Sequence, residues 1–175
     1  MRKEGLLTVT NDNAQLNGSV VAIVRGPDGE IKQRVENCNI ITQIGDQLYG
    51  ERGAGIGSPP ALPVGMKLGT GTTAVAKTGA GAALVTYKTG SNIVIDGSFP
   101  TSSIPGTVRR IQYRGTWAAT VATDAALAEA VIFNDANANA TSTAAFTISR
   151  VLLSPVVNKG AADSLEITWS HDIGT

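Results

Sequence analysis

The side chains best able to do chemistry are few. His171 is the only histidine and Cys38 the only cysteine. A catalytic triad around His171 would need a serine and a carboxylate supplied by the fold, and no motif beside it provides either. His171 falls at an odd position of a run that also carries Trp169 and Ile173, so strand alternation puts it on an apolar face. A histidine there is expected to pack and hydrogen-bond. One His and one Cys, far apart, make no zinc set without two carboxylates. Asp163, Glu166 and Asp172 lie near one another, but alternation and a loop divide them. The loop from Asn134-Asp135 to Asn139 is dense in the hard oxygen ligands that calcium takes, yet Asn and Asp are also ordinary turn residues.

Gly71-Thr72-Thr73-Ala74-Val75-Ala76-Lys77-Thr78 comes close to a phosphate-binding loop, but Ala76 stands where a glycine precedes the lysine. Such a loop also needs a helix directly after it to face the anion, and Gly79-Ala80-Gly81 opposes one. Glu129, set between Ala128 and Ala130 ahead of an apolar run, is expected to face solvent or an arginine such as Arg110 or Arg150. Three Phe, three Tyr and two Trp are dispersed, which gives no visible base- or sugar-stacking platform. Trp117, Trp169 and Tyr113 are placed by strand register in the core. These residues predict no catalytic, cofactor-binding or metal-binding site, and a chain that is not an enzyme.

Composition points the same way. Charged residues make up 16% of the 175 residues, below the common figure of about 25%. Part of the surface must therefore be Ser, Thr, Asn, Gly and Ala, which desolvate cheaply against a neighbour. Fourteen residues of each sign cancel, so the total indicates no basic groove for nucleic acid. The tight basic groups are Arg2-Lys3 and Arg109-Arg110 with Arg114, and alternation splits the second between two faces. A single cysteine excludes an internal disulfide and fits folding in a reducing cytoplasm. No run reaches the 18 or so apolar residues of a membrane span. Met1-Arg2-Lys3-Glu4-Gly5-Leu6-Leu7 does not read as a secretory signal.

The elements that must position these residues are mostly strands, because short apolar–polar alternation dominates. Residues 19–25 and 31–36 flank Gly26-Pro27-Asp28-Gly29 and form the clearest hairpin. Asn17-Gly18 reads as a second turn, pairing residues 6–10, or Gln15-Leu16, with the strand after it. Ile40, Ile41, Ile44 and Leu48 fall at helical spacing, which predicts one short helix at about residues 40–51. Residues 54–83 read as loops around one strand, 65–69. Further strands are expected at 83–88, 92–99, 107–117, from Glu129, at 145–157 and at 165–173. The fold class is mainly β, an antiparallel β-sandwich or open barrel with long loops. Residues 1–37 form an N-terminal arm and hairpin, expected to serve attachment or an oligomer interface, and residues 38–175 form the core.

Four segments stand out together: Asn39-Ile40-Ile41-Thr42-Gln43-Ile44-Gly45-Asp46-Gln47-Leu48, Met66-Lys67-Leu68-Gly69-Thr70-Gly71-Thr72-Thr73-Ala74, Glu129-Ala130-Val131-Ile132-Phe133-Asn134, and the closing run from Val156 to Trp169 with its Asn158-Lys159-Gly160 and Asp163. Taken together they resemble segments of small all-β virion structural proteins of tailed bacteriophages. The resemblance spans about residues 39–173 and carries no catalytic signature. It implies a capsid cement (decoration) protein or a tail-associated protein, and its motifs are shared across both roles.

Cement is the leading expectation. The partner would be the lattice of major capsid protein, bound on the capsid exterior of the virion by a homo-oligomer, trimer or dimer, made in the host cytoplasm, with no nucleic acid or membrane. Residues 1–10 and 54–83 would make intersubunit contacts. A tail, baseplate or fibre component is the alternative. A carbohydrate-binding β-sandwich module is the third.

Overall fold

The computed structural model describes residues 16–174. Nine strands and one helix occur among them: β1 (Asn17–Arg25), β2 (Ile31–Ile41), α1 (Gln43–Ala54), β3 (Gly65–Gly69), β4 (Ile93–Val94), β5 (Thr101–Ser103), β6 (Arg109–Trp117), β7 (Asp124–Phe133), β8 (Thr147–Lys159) and β9 (Ser164–Ile173). They form one antiparallel sheet in the order β4-β3-β7-β8-β2-β1-β9-β6-β5. The sheet curls into a half-barrel, so the open-barrel form of the expected fold is the one adopted. Residues 17–41 lie mid-sheet, between β8 and β9.

Alternation builds the concave face. On β1, β9 and β6 the rows are Val20–Trp169–Tyr113, Ala22–Ile167–Gly115 and Val24–Leu165–Trp117. Every residue in them is buried. Large residues sit beside small ones, so the layers interdigitate. Gly115 is small for a reason: a Cβ there would come 2.8 Å from Ile93 Cδ1 and 3.0 Å from Met66 Sδ. The curl brings β3 and β4 back onto β6 at this point, and the Asp96 N–H reaches the Arg114 carbonyl at 2.9 Å.

The β1–β2 turn forms as expected. Asp28 Oδ1 accepts from the Glu30 N–H, and Gly29 takes a left-handed φ of 84°. The helix starts later than its spacing suggested. Ile40 and Ile41 remain in β2, paired with Arg150 and Ser149, and Thr42 caps α1 by accepting from the Gly45 N–H at 3.2 Å. Leu48 pins the helix across one open end of the half-barrel.

Two expectations need correction. Asn17 and Gly18 do not form a turn: they are strand residues opposite Asp172 and His171. Of their expected partners, residues 6–10 and Gln15 lie outside the described residues, and Leu16 is in no strand. Residues 83–88 are not a strand, because a side-chain carboxylate takes the Val85 and Thr86 N–H groups that a ladder would have used. Only Tyr87 bridges to Gly69. The run at 92–99 shrinks to β4, with Phe99 set under the Arg114 guanidinium, 4.7 Å from its ring centre.

Candidate functional site

Two polar assemblies stand out, one on each face of the sheet. The first lies on the convex face of β3, β7 and β8. Lys67, Val131 and Arg150 form one row across these strands, and Gly69, Glu129 and Leu152 the next. Lys67, Glu129 and Arg150 are three ionisable side chains with essentially no exposure. Loops cover them. Glu129 meets Arg150 through Nε at 3.0 Å and Nη2 at 2.8 Å. Its carboxylate also accepts the backbone N–H groups of Gly71, Val85 and Thr86, while Arg150 Nη1 donates to the Gly81 carbonyl. The pair therefore fastens the whole 70–86 loop to the sheet. Of the two arginines expected opposite Glu129, Arg150 is the partner; Arg110 holds Asp172 instead, at 2.7 Å.

Lys67 is fastened the same way. Its Nζ donates to Ser142 Oγ at 2.8 Å, lies 3.7 Å from Asp135 and sits 4.2 Å above the Phe133 ring. Burial pushes its pKa below the usual lysine value, with Asp135 opposing. Lys159, wholly buried, donates to the Ala118 carbonyl, and burial lowers its pKa too, with Asp163 opposing. Each of these buried charges has a partner, which is how a buried charge is tolerated.

The second assembly lies at the mouth of the half-barrel, under α1. His171 is fully buried between Gly18 and Ile111 of the neighbouring strands. Its Nδ1 is 2.8 Å from Tyr49 Oη, which is 2.9 Å from Tyr113 Oη. Asn39 Nδ2 lies 3.3 Å from His171 Nε2 and 2.5 Å from Ser149 Oγ, and Ser149 donates on to the Ile40 carbonyl. With the Asn39 amide so oriented, Nε2 accepts and the ring proton sits on Nδ1, directed at Tyr49. Burial drops the His171 pKa to about 3, although Asp172 opposes, so the imidazole is neutral near pH 7. Burial likewise raises the Tyr49 and Tyr113 hydroxyls above the usual phenol value.

Gly18 must be glycine here, because the Asn39 amide fills the space its Cβ would take. Among the described residues no carboxylate contacts the ring: Asp172 points away to Arg110. Ser149 is separated from the imidazole by the Asn39 amide. The network orders α1 on the barrel and presents no activated nucleophile. Beside it opens an apolar groove of about 400 Å³ lined by Leu48, Tyr49, Leu62, Pro100, Ile111 and Ile173, among others.

The remaining candidates disperse. Lys77 of the near-miss phosphate loop binds Asp46 of α1 at 2.6 Å, and the chain then makes only a four-residue 3-10 turn, Gly79–Ala82. Asp163 binds Lys32, Asp172 binds Arg110, and Glu166 lies 3.9 Å from Arg114. In the Asn-rich loop, Asn139 Oδ1 accepts from Tyr87 and from the Gly90 N–H, and Asn137 from Asn92. Among the described residues, no three His, Cys, Asp or Glu side chains converge on a metal position. Trp117 and Trp169 are fully buried and Tyr113 nearly so, as their register required. Cys38 is free and exposed. No helix among the described residues is long and apolar enough to cross a membrane.

Sequence reasoning did not find the Tyr49–Tyr113–His171 chain, whose members come from three separate elements. No family model matches the chain, and neither does any curated protein or solved structure.

Proposed function

We propose that this chain is a structural protein of a tailed-phage virion, a cement protein that binds the assembled lattice of major capsid protein and stabilises the head. The observation that carries the reading is the four-segment resemblance, together with what those segments do in the fold. Asn39 orders His171, and Leu48 pins α1. Gly69 and Gly71 let the backbone close on Glu129, where a Cβ at either position would collide with its Oε1. Asp163 accepts from the Gly160 N–H and from Lys32. The shared residues thus keep a shape rather than line a reaction centre.

A second feature favours adhesion. Exposed apolar side chains are frequent between residues 56 and 104: Ile56, Leu62, Val64, Val94 and Ile104 among them. Such side chains suit burial against a partner. A protein that binds only the assembled shell shifts the shell's assembly equilibrium by mass action, and a repeated lattice multiplies modest contacts.

The test is the stoichiometry of purified particles, followed by re-addition of the protein to particles that lack it. A copy number near that of the major capsid protein and a higher uncoating temperature on re-addition support the cement reading. A copy number that is a small fraction of the capsid protein's moves the chain to the tail. Absence from particles overturns both.

A further inference from the structure

We propose that the Lys67 amine and the Asp135 carboxyl condense to an isopeptide bond, which ties β3 covalently to the loop after β7. The site is the cluster of Lys67, Asp135, Ser142 and Phe133. Lys67, Ser142 and Phe133 have no exposure. Lys67 Nζ lies 3.7 Å from Asp135 Oδ1, and the Asp135 side chain is only 23% exposed.

Three observations carry it. First is a proton path. Ser142 Oγ accepts from Lys67 Nζ at 2.8 Å and donates to Asp135 Oδ1 at 3.1 Å. Moving one proton along each of these bonds leaves a neutral amine and a neutral carboxylic acid, the two forms that condense. Second is the setting. Burial already works against the ammonium, pushing Lys67 below the usual lysine value with Asp135 opposing. A neutral amide removes that buried charge. Third is proximity. Asp135 Cγ is one bond from Oδ1, and a rotation of this partly exposed side chain brings Cγ to the about 3–3.5 Å of a near-attack geometry. Groups held so reach effective concentrations of about 10⁵–10⁸ M, far above that of water, which favours condensation over hydrolysis.

The step balances. Nζ attacks Cγ and a C–N bond forms, while the Cγ–Oδ1 bond breaks. Oδ1 leaves as water, with the proton it received through Ser142 and a second from the attacking nitrogen. The amide keeps one proton on Nζ, and Oδ2 becomes its carbonyl. Lys159, also wholly buried, is not placed for this: it donates to the Ala118 carbonyl, and Lys32 holds both oxygens of Asp163 at 3.0 Å. The bond fixes a loop whose Asn137 and Asn139 grip Asn92, Gly90 and Tyr87.

The experiment is the intact mass of the purified, denatured full chain, with a peptide map. The expected mass lies one water below that of the sequence, and a branched peptide joins Lys67 to Asp135. Lys67→Met and Asp135→Ala should show their full masses. Asp135→Ala alters a loop side chain, so it decides the matter even where Lys67→Met fails to fold. Ser142→Ala should form the bond about a hundredfold more slowly; an unchanged rate overturns the relay. Full mass in the natural chain after long incubation at neutral and mildly alkaline pH overturns the proposal. So does a water loss that persists in Asp135→Ala, which assigns it to a succinimide at Asp28-Gly29 or Asp96-Gly97.

Discussion

Glu129 and Arg150 meet diagonally across β7 and β8 at 2.8 Å, and neither side chain is exposed. A buried ion pair adds little net stability by itself, because desolvation offsets the attraction. This pair does something else. Its spare hydrogen-bonding capacity is spent on four backbone groups of one loop, at Gly71, Gly81, Val85 and Thr86. Removing either partner leaves a buried charge and several unmet backbone groups. Glu129→Ala and Arg150→Ala are each expected to lower the unfolding free energy by about 3–5 kcal/mol in urea titrations. Limited proteolysis should then cut first within residues 70–86. The double variant should cost much less than the sum, since the two side chains act as one unit.

The closure of the curl depends on Gly115. A side chain there must push against Ile93 and Met66, which come from the far edge of the same sheet. Gly115→Val is expected to cost about 1–3 kcal/mol through overpacking. The urea slope should stay constant while the midpoint falls. Exchange of the Asp96 amide, whose bond to Arg114 crosses the seam, should quicken.

Between β2 and β8 the backbone pairing is confined to Ile40 and Ile41. Further along, two amide side chains stand in for the ladder. Asn37 donates to the Ser154 carbonyl and accepts from its N–H, and Gln33 does the same between Val156 and Asn158. Each side chain thus mimics a peptide unit where the strands part. Asn37→Leu and Gln33→Leu should each cost about 0.5–1.5 kcal/mol per lost bond. Four residues apart and without shared partners, their effects should add. Amide exchange at Ser154 and Asn158 reads each loss separately.

Much of the frame is legible in the sequence alone, and the reason is physical. β9 alternates from Leu165 to His171 because one side of it is dry, and that rule alone puts Trp169 and His171 inside. The hairpin comes from Asp28-Gly29. What stays hidden are substitutions of one kind of partner for another. Residues 83–88 have strand character, but a carboxylate from β7 supplies their acceptor. Asn17-Gly18 has turn character, but Gly18 is there to make room for Asn39. Glu129 read as facing solvent or an arginine, and nothing local separated burial from exposure or Arg150 from Arg110. The groove and the Tyr49–Tyr113–His171 chain join elements distant in sequence, and no local pattern encodes such a meeting.

His171 gives the chain a defined response to acid. Its folded pKa lies near 3, well below the 6.5 of a free histidine, because burial under α1 disfavours the charge. The unfolded chain takes up a proton as the pH falls through 6.5, and the native chain does not until about 3. Stability is therefore full above about pH 6.5 and falls below it by about 1.4 kcal/mol per pH unit from this residue. Asp124, Asp163 and Asp172 are held below their usual pKa by their hydrogen bonds to Lys88, Lys32 and Arg110, so their contribution is lost only from about pH 4 downward. The interval from about pH 6.5 to 5 thus isolates the histidine. His171→Gln should be less stable at about pH 7, having lost the ring packing against Tyr49 and Tyr113. Its unfolding free energy should then stay flat from about pH 6.5 to 5, where that of the natural chain slopes. Equal slopes in the two proteins would mean that the imidazole is not kept neutral by the fold.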